Sequence, residues 1–130
     1  MYKPYSIIAA LFGFLAVGLG AFGAHGLEKI TLDEKIIHGF QTATQYQMYH
    51  ALALLAVAII YEKVSNQWVK LAGIFFITGI ILFSGSLYLL TALRISGSTI
   101  TRIVGPFTPL GGISLIGGWL CLLIGVAKKK

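Results

Sequence analysis

At 130 residues the chain has the length of one ordinary domain. Hydrophobic residues make up 57% of it and charged residues 11%, against ~45–50% and ~25% in typical globular domains, so a sizeable soluble domain is excluded and lipid must cover most of the surface. The net charge of +6 points to anionic headgroups rather than nucleic acid, because six of the ten basic residues (Lys3, Lys63, Lys70, Lys128, Lys129 and Lys130) sit beside apolar segments and form no stripe with exposed aromatics.

The first apolar run extends from Pro4 to about Ala24, and about twenty helical residues rise ~30 Å, the thickness of a bilayer core. Pro4 suits a first-turn position and Gly26 the residue just past a helix end. Lys3 and the Ala21-Phe22-Gly23 segment resemble the flanks of a signal peptide, but the run is long for one and reads as a span. Residues 25–42 are the most polar stretch. Within it, Thr31 followed by Glu34 reads as a capping box that starts a helix near Leu32. Only Gly39 interrupts the pattern before Tyr61. Such a helix is about 45 Å long and emerges into the headgroups, with Ile36, Ile37 and Phe40 near the interface.

Glu62 to Gln67 form a short polar turn. The third run goes from Trp68 to about Leu93, with Trp68 and Tyr88 as interfacial anchors and Arg94 snorkelling from its last turn. Ile95 to Phe107 read as a loop, and Thr108-Pro109 as N-cap and first helical residue of the fourth run, which ends at Val126 before the lysines. The expectation is an all-α fold: an integral membrane four-helix bundle with spans of about 4–24, 43–61, 68–93 and 109–126, and a short interfacial segment between helices 1 and 2. The end holding both termini carries six Lys or Arg, and the other end carries four (Lys29, Lys35, Arg94 and Arg102) with three of the four acids. The positive-inside rule therefore puts both termini in the cytoplasm of a multi-pass inner-membrane protein.

Lipid tails are as apolar as Leu, so the spans need close packing to associate. Ala9, Gly13, Ala16, Gly20 and Ala24 supply a slim face on the first helix. Gly117, Cys121 and Gly125 do so on the fourth, with Gly111, Ser114 and Gly118 on a neighbouring face. Internal packing is the expected use of these residues, ahead of a dimerisation face. Cys121, the single cysteine, has no partner for an intramolecular disulfide or a zinc pair.

Gly20-Ala21-Phe22-Gly23-Ala24-His25-Gly26-Leu27 resembles a family of small bacterial inner-membrane proteins, the YgdD/YwdK-like family, to which small eukaryotic four-span proteins are similar. The resemblance continues through Phe40-Gln41-Thr42-Ala43, Tyr46-Gln47, Tyr49-His50-Ala51-Leu52-Ala53 and Phe83-Ser84-Gly85-Ser86-Leu87-Tyr88. It ends with Thr108-Pro109-Leu110-Gly111-Gly112 and Gly118-Trp119. It implies a four-span fold and carries no assigned activity.

His50 is the sharpest candidate for chemistry. It lies about seven residues inside the second span, roughly 10 Å below the interface, where an ionisable group needs a partner or a cavity. Tyr46 and Gln47 neighbour it on the helix surface. It reads either as a ligand, metal or proton site, or as a neutral imidazole bonded to another helix, and the second reading is favoured. His25 caps the end of the first helix. His38 lies ~18 Å from His50 along one helix and cannot share a metal with it. The candidate polar cluster is His25, Tyr46, Gln47, His50, Ser86 and Thr108, near the non-cytoplasmic leaflet. No metal, cofactor or Ser-His-Asp set is expected, since Asp33, the only Asp, lies in the interfacial stretch.

The expected function is that of a non-enzymatic accessory or membrane-stabilising protein. Its partners are the lipid bilayer and a membrane protein or a second copy, with no nucleic acid. One alternative is a small-molecule or ion transporter. Against a carboxylate-coupled exporter, Glu28, Asp33, Glu34 and Glu62 all lie in connections or at the interface. The other alternative binds a metal, haem, quinone or lipid through His50.

Overall fold

The computed structural model describes residues 1–128, so Lys129 and Lys130 of the terminal lysine run lie outside the described residues. Helix α1 spans Lys3–His25 and α2 spans Glu34–Lys63, with a 3₁₀ turn at Leu27–Lys29 between them. Helix α3 runs over Gln67–Ile95, α4 is the short Thr101–Val104 turn, and α5 spans Phe107–Ala127. Four helical segments are long and apolar enough to cross a membrane, α4 and α5 counting as one. The all-α four-helix bundle expected from the sequence is the fold.

Helix α2 is the most covered and α1 the least. Helix α2 packs against α1 on one side and α3 on the other, and α3 packs along α5. The core at these contacts contains Leu54, Val57, Ala58, Val69, Ala72 and Phe76, all fully buried. Tyr5 reaches from α1 to the start of α3, donating its hydroxyl to the Lys70 carbonyl at 2.6 Å. The Met1 amino group hydrogen-bonds Glu62 and holds its carboxyl below the usual carboxylate range.

Two capping expectations are corrected. Helix α2 starts at Glu34 with Asp33 as its cap, the Asp33 carboxylate accepting from the Lys35 N–H at 3.0 Å. Thr31 is not the cap. Its hydroxyl accepts from the Asp33 N–H at 3.2 Å and forms the turn before the helix. The short Asp side chain next to the first turn reaches an orphan donor directly and needs no Thr31–Glu34 box. Likewise α5 starts at Phe107, one residue ahead of Thr108, with Pro106 in the cap position at φ −63°. Proline's fixed φ turns the chain early and frees the Thr108 hydroxyl for another partner.

Helix α3 is not uniform. Ile80–Ser84 form a π-turn closed by the Gly85 N–H on the Ile80 carbonyl, a feature that apolar periodicity gave no sign of. Helix α5 crosses there closely. A Cβ on Gly79 would meet the Leu115 side chain, and one on Gly111 would lie 2.7 Å from the Leu82 carbonyl carbon and Phe83 Cα. The expected loop from Ile95 to Phe107 contains the α4 turn, and Gly97 adopts φ +75°, a left-handed conformation that glycine tolerates.

The small residues divide by position, Ala9 and Ala16 of α1 being buried with the core. Gly111, Gly118 and Gly125 of α5 sit where any Cβ would strike α3, and Gly23 of α1 abuts the Phe40 ring. Internal packing is their use, as expected. A Cβ on Gly13 or Gly20 of α1 would touch nothing within 4 Å, so the bundle makes no use of their missing side chains.

Candidate functional site

Four of the six candidate residues supply side-chain hydrogen-bonding atoms to three separate stations rather than to one cluster. The His50 ring is buried between α2, α3 and α5. Its Nδ1 lies 2.8 Å from the Tyr46 carbonyl one turn earlier, and the Trp119 indole N–H donates to its Nε2 at 3.0 Å. A carbonyl only accepts and an indole only donates. Nδ1 therefore carries the proton, Nε2 offers the lone pair, and the imidazole is neutral. The Phe76 ring packs at 5.6 Å from His50 and 5.2 Å from Trp119, centroid to centroid.

Tyr46 enters this station through its backbone carbonyl and its stacked ring, 6.0 Å from His50. Its side chain is otherwise half-exposed, against Phe83 and Tyr49. Gln47 belongs to a second station. Its amide donates to the Phe12 carbonyl of α1 at 2.8 Å, and its Oε1 accepts from the Tyr88 hydroxyl of α3 at 2.6 Å. Tyr88 is thereby turned into the bundle rather than anchored at the interface, because Gln47 gives its hydroxyl a buried partner. A cavity of about 260 Å³ beside them is lined by Phe12, Leu15, Ile81 and Gly85.

The third station joins α3 to α5, where the Ser86 and Thr108 hydroxyls lie 2.5 Å apart and Ser86 reaches back to the Phe83 carbonyl. Two more serines work the same way between helices. Ser84 donates to the Ala43 carbonyl at 2.7 Å, and Ser114 to the Phe75 carbonyl at 2.9 Å. His25 is exposed at the end of α1 and belongs to none of these stations.

Sequence reasoning missed Trp119 and Tyr88 as members. A usable signal existed. A Trp within an apolar run carries an N–H that needs an acceptor, and a histidine at comparable depth has one to offer. Among the described residues, no buried side-chain nitrogen or oxygen lacks a hydrogen-bond partner. Nor does any group of three His, Cys, Asp or Glu come together there in a way that could hold a metal.

Apolar helices of spanning length, with inward polar side chains tied to carbonyls and to one another, define a multi-pass membrane protein. The chain belongs to the family described as "Protein of unknown function (DUF423)", whose model matches residues 19–112. Among its relatives, the UPF0382 membrane protein YwdK of Bacillus subtilis is 44% identical over 97% of this chain and 98% of its own length. The UPF0382 membrane protein C1782.12c of Schizosaccharomyces pombe is 43% identical over 90% of this chain and 96% of its own. The UPF0382 inner membrane protein YgdD of Escherichia coli is 38% identical, covering 95% and 89%. The resemblance read from the motifs is the family. No solved structure matches the chain.

Proposed function

We propose that this protein is a non-enzymatic accessory or membrane-stabilising protein of the cell inner membrane, with both termini in the cytoplasm. The observation that carries this reading is the engagement of both His50 ring nitrogens inside the bundle. A histidine that binds a metal or moves a proton needs a nitrogen free to do so. Here the lone pair holds the Trp119 N–H, and the proton is held by the Tyr46 carbonyl. Gln47, Ser84, Ser86, Thr108 and Ser114 are likewise spent on neighbouring helices. Partners in this reading are the bilayer lipids, together with another membrane protein or a second copy of the chain.

The test is titration of the purified protein in nanodiscs with Zn²⁺, Cu²⁺ and haem. Wild type and His50→Leu are expected to respond alike. Stoichiometric binding that disappears in His50→Leu would replace this reading with a ligand-binding one, and proton-driven efflux from reconstituted vesicles would replace it with a transporter.

Orientation rests on the basic residues, with Lys3, Lys63, Lys70 and Lys128 at the end holding the termini. Reporter fusions after Lys130 and after Arg102 are expected to report opposite compartments, the first cytoplasmic. Both on one side, or the reverse assignment, would contradict it.

A further inference from the structure

The cavity of about 260 Å³ lies between α1 and α3, beside Gln47 of α2. Its walls are apolar, from Leu15 of α1 and Ile81 of α3. Both of these side chains are exposed, so the cavity opens toward the acyl chains. Gln47 and Tyr88 line its inner side. A cavity of about 150 Å³ in a protein interior holds benzene, so this one has room for a substituted six-membered ring.

Gln47 is 3% exposed, and its neighbours fix how its amide is turned. The Phe12 carbonyl only accepts, so the amide nitrogen must face it, and the amide oxygen takes the Tyr88 O–H. An amide nitrogen carries two N–H groups. Among the described residues this one has a single acceptor, the Phe12 carbonyl. Tyr88 spends its one proton on Gln47, and its oxygen keeps lone pairs that no described residue answers. A spare donor and a spare acceptor therefore adjoin, because Tyr88 is bonded to the same amide that carries the second N–H. A carbonyl or ether oxygen in the cavity would answer only the donor. A hydroxyl answers both.

Helix α3 leaves space for such an occupant. Gly85 lines the cavity, and a Cβ there would meet nothing within 4 Å. The π-turn of Ile80–Ser84 closes on the Gly85 N–H. Its wider turn rotates every later side chain around the helix, relative to an unbroken α-helix, and so sets the direction of Tyr88. Single π-turns inside α-helices are frequent at functional sites.

We propose that this cavity binds a lipid-soluble alcohol or phenol whose head is a six-membered ring. Its hydroxyl accepts from the second Gln47 N–H and donates to the Tyr88 oxygen. The proposal goes beyond the accessory reading and does not rest on it, since neither His50 nor Trp119 lines the cavity.

The full chain in phosphatidylcholine nanodiscs is irradiated with a diazirine derivative of p-butylphenol, or with the matching derivative of p-butyltoluene, which has a methyl group in place of the hydroxyl. Labelling of the chain is counted against labelling of lipid in the same disc, so that partitioning cancels. The phenol is expected to mark the α1 and α3 segments lining the cavity about eightfold more than the toluene, the factor for two hydrogen bonds of average strength between membrane helices. Gly85→Leu fills the cavity without a clash and is expected to abolish labelling there by both probes. The double variant Gln47→Leu with Tyr88→Phe removes donor and acceptor together. It is expected to bring the phenol down to the level of the toluene and to leave the toluene unchanged. Equal labelling by the two probes in wild type overturns the proposal without reference to any variant, leaving a groove for any apolar molecule. Phenol labelling that survives Gly85→Leu, or a preference that survives the double variant, would overturn it as well.

Discussion

Gly111→Ala is expected to destabilise the bundle by at least about 1–3 kcal/mol, the usual range for overpacking a close-packed interior. The added methyl would lie 2.7 Å from the Leu82 carbonyl carbon and Phe83 Cα. These are backbone atoms of the π-turn, which cannot swing aside as a side chain would. Either α5 moves away from α3 or the turn changes register, and both routes disturb the Ser86–Thr108 and Ser114–Phe75 bonds. Gly13→Ala is the control. Its methyl meets nothing within 4 Å, and alanine is favoured over glycine in a helix by up to ~1 kcal/mol. Thermal unfolding in detergent is expected to separate the two variants sharply, with Gly13→Ala at or above wild type. Similar midpoints for both would mean that α5 does not cross α3 at Gly111.

The four helices were legible because their signals are one-dimensional. Run length, the sparse charges and the basic flanks survive without any knowledge of neighbours. Helix starts were read less well. At both misread starts another residue, Asp33 or Pro106, took the cap position and left the predicted threonine to a different bond. The π-turn was invisible because it answers an approach by α5 that local sequence does not record. The small-residue pattern looked alike on the first and fourth helices, yet Gly118 meets Phe76 while Gly13 meets nothing. Depth made His50 legible as a residue needing a partner, but its donor lies on α5, 69 residues on. The single cluster expected from the shared leaflet divided into stations because His50 pairs with Trp119 of α5, Gln47 with Phe12 of α1 and Tyr88 of α3, and Ser86 with Thr108.

The second large effect belongs to that pair. His50→Leu removes the acceptor of the Trp119 N–H, and leaving a donor unsatisfied in apolar surroundings costs about 1–3 kcal/mol. Trp119→Phe removes the donor and leaves Nε2 bare. Replacing both partners by apolar groups is far less harmful than removing one, so the double variant is expected to lose less than the two single losses combined. The coupling is expected at about 0.6 kcal/mol, the average for hydrogen bonds between membrane helices, and at most about 1.7 kcal/mol. Additive losses in thermal unfolding would show that the two side chains do not act as a pair.

The central claim is that His50 is a structural group with both nitrogens occupied, and ¹⁵N NMR of the histidine-labelled protein in bicelles reads it directly. The expected His50 signal is that of a neutral ring protonated at Nδ1, with an unprotonated Nε2 whose shift changes in Trp119→Phe. A ring protonated at Nε2, or an Nε2 shift indifferent to Trp119→Phe, would contradict the account.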